Sequence, residues 1–240
     1  MNAKFNISYD GSVFQGSQRQ PNGLTVENAL LKAFKRVNIE TNIVLSGRTD
    51  RDVHATGQVF NCILPDFWNN FDKLKDVMNK HLPSSIKINH ISLVPNDFHS
   101  RFHARKRVYR YVITTKHTTP FNDKFVTYVP SINEELMKEA IKEFIGEYDF
   151  EYFHKVGSDK ENTVREIFDT CFYKHKDIYV FRFTANSYLR SQIRLMVGFL
   201  LKINMGKLSI TDLKEQLRMK KRVFKIPAPA NGLYLAQITY

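Results

Sequence analysis

The apolar residues of this chain change their period in a fixed order, and the order recurs. Phe5, Ile7 and Tyr9 alternate as a strand that ends at Asp10-Gly11-Ser12, and Thr25 stands where it can cap a helix carrying Leu30, Phe34 and Val37. Strands over Asn42 to Leu45 and Thr56 to Leu64 come next. A helix with Phe71, Leu74 and Met78, a break at Leu82-Pro83 and a strand through Ile86, Ile88 and Ile91 follow. After a long strand-like run from Phe98 to Thr115 the sequence returns to the same order. Asn133 heads a helix with Leu136, Ala140, Ile141 and Phe144 that stops at Gly146. Val164 to Tyr173 and Ile178 to Ala185 read as a hairpin around Lys174-His175-Lys176-Asp177. The spacing of Leu189, Ile193, Met196, Leu200 and Ile203 predicts a helix from Ser187 to Asn204, with Gly206 as its stop. A short helix near Thr211 to Arg218 and a last strand with Tyr234, Ala236 and Ile238 on one face close the chain. The pattern is α/β, in two halves, 1–105 and 106–240, with no Gly/Ser or Pro-rich linker between them.

A chain of 240 residues can bury a sizeable core, and with 42% hydrophobic and 13% aromatic residues its net charge of +12 belongs to a folded protein. The excess is clustered. Residues 101–124 hold seven Lys/Arg against one acid, and residues 182–225 hold eleven against two. Clusters of this kind fit a phosphate backbone, the alternative being a set of solvated basic faces. Cys62 and Cys171 lie in separate strand-like runs, which supports neither a disulfide framework nor a cysteine-based zinc site and suits a reduced cytoplasm. The N-terminus enters strand alternation directly, without the apolar run of a leader, and no stretch is long enough to span a bilayer, so a soluble, unprocessed protein is expected.

Chemistry concentrates in Ser46-Gly47-Arg48-Thr49-Asp50-Arg51-Asp52-Val53-His54-Ala55-Thr56-Gly57-Gln58, a polar loop between two strand-like segments. Asp50, two residues after Arg48, is the candidate nucleophile or base if arginines keep it ionised; it could equally cap its own turn, and Asp52 competes for either role. Arg101, Arg105, Lys106, Arg107 and Arg110 interleave with Phe102, Tyr109 and Tyr111, placing cations for phosphates beside rings on which an unstacked base can lie. Tyr109 could instead be core. Arg194 falls beside an apolar helix stripe, one turn from Arg190, where it calls for a partner such as Asp50 unless it snorkels to the surface. The HExxH, CxxC, P-loop and GxGxxG patterns are all missing, so metal, redox and nucleotide-hydrolysis chemistry have no support.

Laid end to end, these residues resemble the TruA family of tRNA pseudouridine synthases. The resemblance rests on Tyr9-Asp10-Gly11-Ser12 with Phe14, Gly16, Gln18 and Gln20; on Gly47-Arg48-Thr49-Asp50 with Val53-His54-Ala55-Thr56-Gly57-Gln58; and on Phe98-His99 with Arg101. It continues through Tyr109-Arg110-Tyr111, Gly146 with Asp149-Phe150, Thr163-Val164-Arg165, Phe183 with Ala185-Asn186, Arg194 with Val197-Gly198, Ala228-Pro229-Ala230 and Gly232-Leu233-Tyr234-Leu235.

The resemblance implies two ferredoxin-like halves whose antiparallel sheets meet at a basic central cleft, working as a cytoplasmic homodimer. It implies conversion of uridine to pseudouridine at nucleotides 38, 39 and 40 in the anticodon stem-loop of tRNA, with no metal or cofactor. Asp50 is then the catalytic aspartate, Tyr109 the ring that packs on the target base, and Arg194 the arginine that pairs with the aspartate. Arg48, Arg101, Arg105, Lys106 and Arg107 fall to substrate binding, and Leu233 to closing the pocket. The chain departs from the family in two places. Arg51-Asp52 stands where a small or basic residue and then Gly are usual, and Ser17 stands where Trp is frequent. Asp tolerates a left-handed backbone better than most residues, so the turn can form. A catalytically impaired RNA-binding member of the same fold is the alternative.

Overall fold

The computed structural model describes residues 1–21, 23–155 and 162–240. In chain order its regular elements are β1 (Asn2–Tyr9), α1 (Val26–Arg36), β2 (Val44–Leu45), β3 (His54–Ile63), α2 (Phe71–His81), β4 (Ile86–Leu93), β5 (Lys106–Thr114), β6 (Thr127–Tyr128), α3 (Glu134–Ala140), β7 (Gly146–Asp149), β8 (Val164–His175), β9 (Ile178–Ala185), α4 (Gln192–Asn204), α5 (Ile210–Leu217) and β10 (Leu233–Thr239). They divide into two units, one of residues Met1–Arg105 with Tyr234–Tyr240 and one of Lys106–Leu233. Among the described residues no helix is long and apolar enough to cross a membrane.

The first unit carries β1 between β3 and β4, antiparallel to both, with β2 antiparallel to one part of β3 and β10 parallel to another. The order β1-α1-β2-β3-α2-β4 is that of the ferredoxin-like split βαβ. Thr25 caps α1 by accepting the Asn28 N–H, and Asn70 caps α2 through the Lys73 N–H. Both helices bury the side that their periodicity marks. Phe5 and Phe60, paired across β1 and β3, stack with centroids 4.6 Å apart, and Phe34 of α1 meets both rings edge-on. Each such aromatic pair adds about 0.5–1.5 kcal/mol beyond its burial.

In the second unit β9 lies between β5 and β8, β7 adds to β8, β6 pairs parallel with β5, and the other pairs are antiparallel. With the short β6 and β7 set aside, strand, helix, strand, strand, helix is again the order, as β5, α3, β8, β9 and α4. Tyr109, Tyr111 and Ile113 all point inward from β5, as their alternation predicts. Helix α4 buries Met196, Phe199 and Leu200 completely, and Phe199 packs on Phe153 at 6.0 Å.

Four expectations change. The strand expected over Phe98 to Thr115 begins only at Lys106; residues 98–103 form a turn instead. Helix α4 starts at Gln192 rather than Ser187, because Ser191 takes a left-handed φ of 59° and the Gln192 side chain accepts the Leu189 N–H at 2.8 Å. Arg190 therefore precedes the helix and is not one helical turn from Arg194 on it. The strand over Asn42 to Leu45 shrinks to two residues, and in β10 the buried side chains are Leu233, Leu235 and Ile238, with Tyr234 and Ala236 half-covered.

Candidate active site

In the first unit the polar loop is held by side chains from several elements. Ser17 N–H donates to the Thr49 carbonyl at 3.1 Å, and the Thr49 N–H donates to Ser17 Oγ at 2.9 Å. Ser17 is fully buried, so this reciprocal pair fixes the residue before Asp50 in a dry setting. The neighbouring Gly16 has φ +99° and approaches so closely that a Cβ there would lie 3.0 Å from the Thr49 carbonyl oxygen. On the other side, the Tyr9 hydroxyl and Thr49 Oγ1 are 2.8 Å apart, and buried Gln58 donates to the Gly47 carbonyl at 2.8 Å. Burial pushes the Tyr9 phenol up to about 12, so it remains a neutral hydrogen-bonding group at any ordinary pH.

The turn itself closes with the Val53 N–H on the Asp50 carbonyl at 3.3 Å, and Asp52, its third residue, has φ 64°. That is the left-handed position for which Gly is the ordinary choice. Asp52 fills it, with Arg51 Nε 3.7 Å from its Oδ2. After the turn His54 is buried, accepts the Gly11 N–H on Nδ1 at 3.0 Å, and stacks on Tyr234 at 4.8 Å. The braced residues are Thr49 before the turn and His54 after it; Asp50 between them is half-buried and Arg48 exposed.

The second unit builds a different setting. Tyr109 is buried on β5 opposite Phe183 and meets the Tyr188 ring edge-on at 5.2 Å. Arg194, half-buried on the first turn of α4, donates from Nε to the Ala228 carbonyl at 2.8 Å, while the Ala228 N–H returns a bond of 2.8 Å to the Arg194 carbonyl. The segment 224–231 is thus strapped across the helix. Gly198 permits it, since a Cβ there would come within 2.4 Å of the Ile226 carbonyl oxygen. Tyr111 secures the strap by donating to the Pro229 carbonyl at 2.8 Å, its hydroxyl 2.8 Å from Thr127 Oγ1. Leu233, just beyond, is buried and bonds through its N–H to the Ala230 carbonyl at 2.9 Å.

Of the basic residues, Arg101 and Arg105 in the first unit and Lys106 in the second are exposed, as phosphate contacts require. Arg107 differs: it is buried, and its Nη1 donates to the Asn186 carbonyl at 2.8 Å, so part of its guanidinium serves the fold. Sequence reasoning gave no role to Ser17, Tyr9, Gln58 or His54 in bracing the loop. A Gln at an inward strand position, where only a polar partner makes it tolerable, was the signal that could have found the network.

The sequence pattern of the family described as tRNA pseudouridine synthase matches residues 6–103 and 140–240. The chain is 38% identical to tRNA pseudouridine synthase A of Campylobacter jejuni (strain RM1221) over 240 residues, the full length of both. It is 37% identical to the protein of that name from Wolinella succinogenes, covering 98% of this chain and 92% of the relative. It is 39% identical to that from Streptococcus agalactiae serotype Ia, covering 99% and 94%. A chain in the crystal structure of a Cbf5-Nop10-Gar1 complex overlays with a TM-score of 0.37 and 15% identity, over 82% of this chain and 44% of that one.

Proposed function

The chain belongs to the tRNA pseudouridine synthase family and has that isomerase activity on tRNA, and from this premise we propose that its targets are nucleotides 38, 39 and 40 of the anticodon stem-loop, with Asp50 as the catalytic carboxylate. It acts in this reading as a cytoplasmic homodimer. Tyr109 packs on the target base, Arg194 is the counter-charge of the carboxylate, and Leu233 helps to close the base in. Arg48, Arg101, Arg105, Lys106 and Arg107 bind the RNA backbone.

The chemistry explains the choice of residues. The bond from ribose C1′ to uracil N1 breaks, the detached base turns, and C1′ joins C5; N1 gains a proton and the C5 hydrogen leaves to solvent. Substrate and product are isomers, so no activated donor enters. The base must be out of its stack and held while detached, which is the work of a ring such as Tyr109. An ionised carboxylate serves whether it attacks C1′, adds to C6 or removes a ribose proton.

The observation that carries the assignment to Asp50 is its turn: a half-buried carboxylate directly after Thr49, whose backbone is held by the buried Ser17 amide and hydroxyl and whose side chain meets the Tyr9 hydroxyl. Asp50→Asn is expected to abolish tritium release from tRNA labelled at C5 of uridine while tRNA still binds. Full turnover by that variant would remove Asp50 from the mechanism. Binding without tritium release by the unaltered protein would favour the catalytically impaired alternative.

A further inference from the structure

The turn before β5 is built with unusual care for a segment that buries no large apolar side chain. Asn2, itself buried on β1, donates from Nδ2 to the carbonyls of Pro95 at 3.1 Å and Phe98 at 3.0 Å. Asn61, buried on β3, accepts the Ser100 N–H at 2.9 Å, and the fully buried Ser100 hydroxyl bonds to the Val44 carbonyl. Tyr240 donates to the Ser100 carbonyl at 2.9 Å and packs on Phe98 at 4.9 Å. Within the turn, the His99 Nδ1 accepts the N–H groups of both Arg101 and Phe102 at 3.2 Å. Buried, mutually satisfied polar groups of this kind rigidify what they hold.

What this scaffold presents is an aromatic ring in water. Phe102 is 71% exposed, although burial is the favourable place for a ring of that size. It is not loose: His99 stacks on it with centroids 4.2 Å apart and planes 28° from parallel. The Arg101 guanidinium carbon lies 5.5 Å from the ring centroid, and Arg105 follows, exposed. We propose that Phe102, backed by His99, is a stacking platform for one unpaired base of the RNA substrate, with Arg101 and Arg105 on the flanking phosphates. The inference rests on the tRNA-modifying reading above and adds a base contact separate from the target base.

The occupant follows from the pairing of groups. A phosphate alone needs donors and would leave the ring unexplained. A protein partner needs a wide apolar surface, whereas here one ring stands among cations, which is the make-up of a single-stranded nucleic-acid contact. A base has a π-face for the ring and carries its phosphate to the arginines.

The test uses the full-length protein and anticodon stem-loops with 2-aminopurine replacing each loop purine in turn. The unaltered protein and Phe102→Trp are expected to quench one of these positions. Phe102→Ala and Phe102→Leu lose that quenching and about tenfold in tRNA affinity, Leu because it has bulk without a π-face. The turnover rate at saturating tRNA stays within about twofold. Quenching and affinity unchanged in Phe102→Ala overturn the platform. So does a change of oligomeric state in sedimentation with RNA affinity intact, which would make the ring a contact between copies. Tritium release by the unaltered protein reports the isomerase reading separately, so failure of the quenching series with release intact overturns the platform alone.

Discussion

The loop that carries Asp50 and the elements that carry Tyr109 and Arg194 solve the same problem by different physics. The loop has little apolar burial of its own and is held by hydrogen bonds from Ser17, Tyr9, Gln58 and Gly11. Tyr109 and Arg194 ride on β5 and on a buried helix, so their positions follow from core packing and a strapped carbonyl at Ala228. A carboxylate on a turn can be re-aimed by one backbone change; a ring on β5 moves only if the sheet does. The difference predicts how each half of the machinery fails.

Asp50→Asn gives the largest effect, at least about a thousandfold in kcat, without unfolding. A Tm and far-UV circular dichroism spectrum matching the unaltered protein would show that the loop's shape does not depend on the carboxylate. A concerted loss of Tm would break the distinction, because the loop would then need the Asp50 carboxylate for its fold.

Alkaline pH acts on both regions through buried phenols. Burial pushes Tyr9 up to about 12 and raises Tyr111 as well. Below pH 10 both states keep the phenolic proton and stability is intact. Between about 10 and 12 the unfolded chain loses the Tyr9 proton while the folded chain keeps it, so stability falls by about 2–3 kcal/mol for this group. Urea midpoints at pH 9, 10 and 11 measure the slope. In Tyr9→Phe the slope should flatten, and kcat should fall as Thr49 loses its partner; an unchanged slope would exclude Tyr9 as its source.

Gly198→Ala strikes the second region. A Cβ 2.4 Å from the Ile226 carbonyl and 3.2 Å from the Phe224 ring forces the strap off α4. Overpacking of this kind costs about 1–3 kcal/mol, and activity should fall together with Tm because Ala228 fixes Arg194. Loss of activity with no change in Tm would mean that the strap moves freely.

The two regions were also unequally legible. Helices α1 and α3 follow from caps and apolar spacing, and α2 from apolar spacing, that lie within a dozen residues of one another. The turn at 98–103 did not, because its alternation of Phe, His and Arg mimics a strand, while the groups that bend it, Asn2 and Asn61, lie far off in the sequence. The start of α4 was misplaced for a similar reason: Leu189 fits the stripe, but the chain turns at Ser191. At the loop, Asp50 stood out as a carboxylate in a polar segment between strands. Its brace from Ser17 did not, since no local pattern pairs residues 32 positions apart.

The smallest effect is the most specific to this chain. At φ 64° an L residue is strained by about 1 kcal/mol, less for Asp than for Ala, and Gly is relieved of that strain but loses about 0.5–1 kcal/mol through the freedom it gives the unfolded chain. For Asp52→Gly the two terms nearly cancel, so its stability should lie within about 0.5 kcal/mol of the starting protein, with kcat kept. Asp52→Asn should match it, since Asn also accepts the left-handed region, and it removes a negative charge beside the loop proposed to meet the RNA, so tRNA affinity should rise slightly at low salt. Asp52→Ala has neither advantage and should lose about 1 kcal/mol and some kcat, because the turn that presents Asp50 must shift to relieve the strain. Urea denaturation and tritium release across the three variants order them Gly and Asn above Ala. If Ala equals Gly in both measurements, the hydrogen bonds from Ser17 and Tyr9 alone set the loop, and the backbone of Asp52 has no part in aiming the carboxylate.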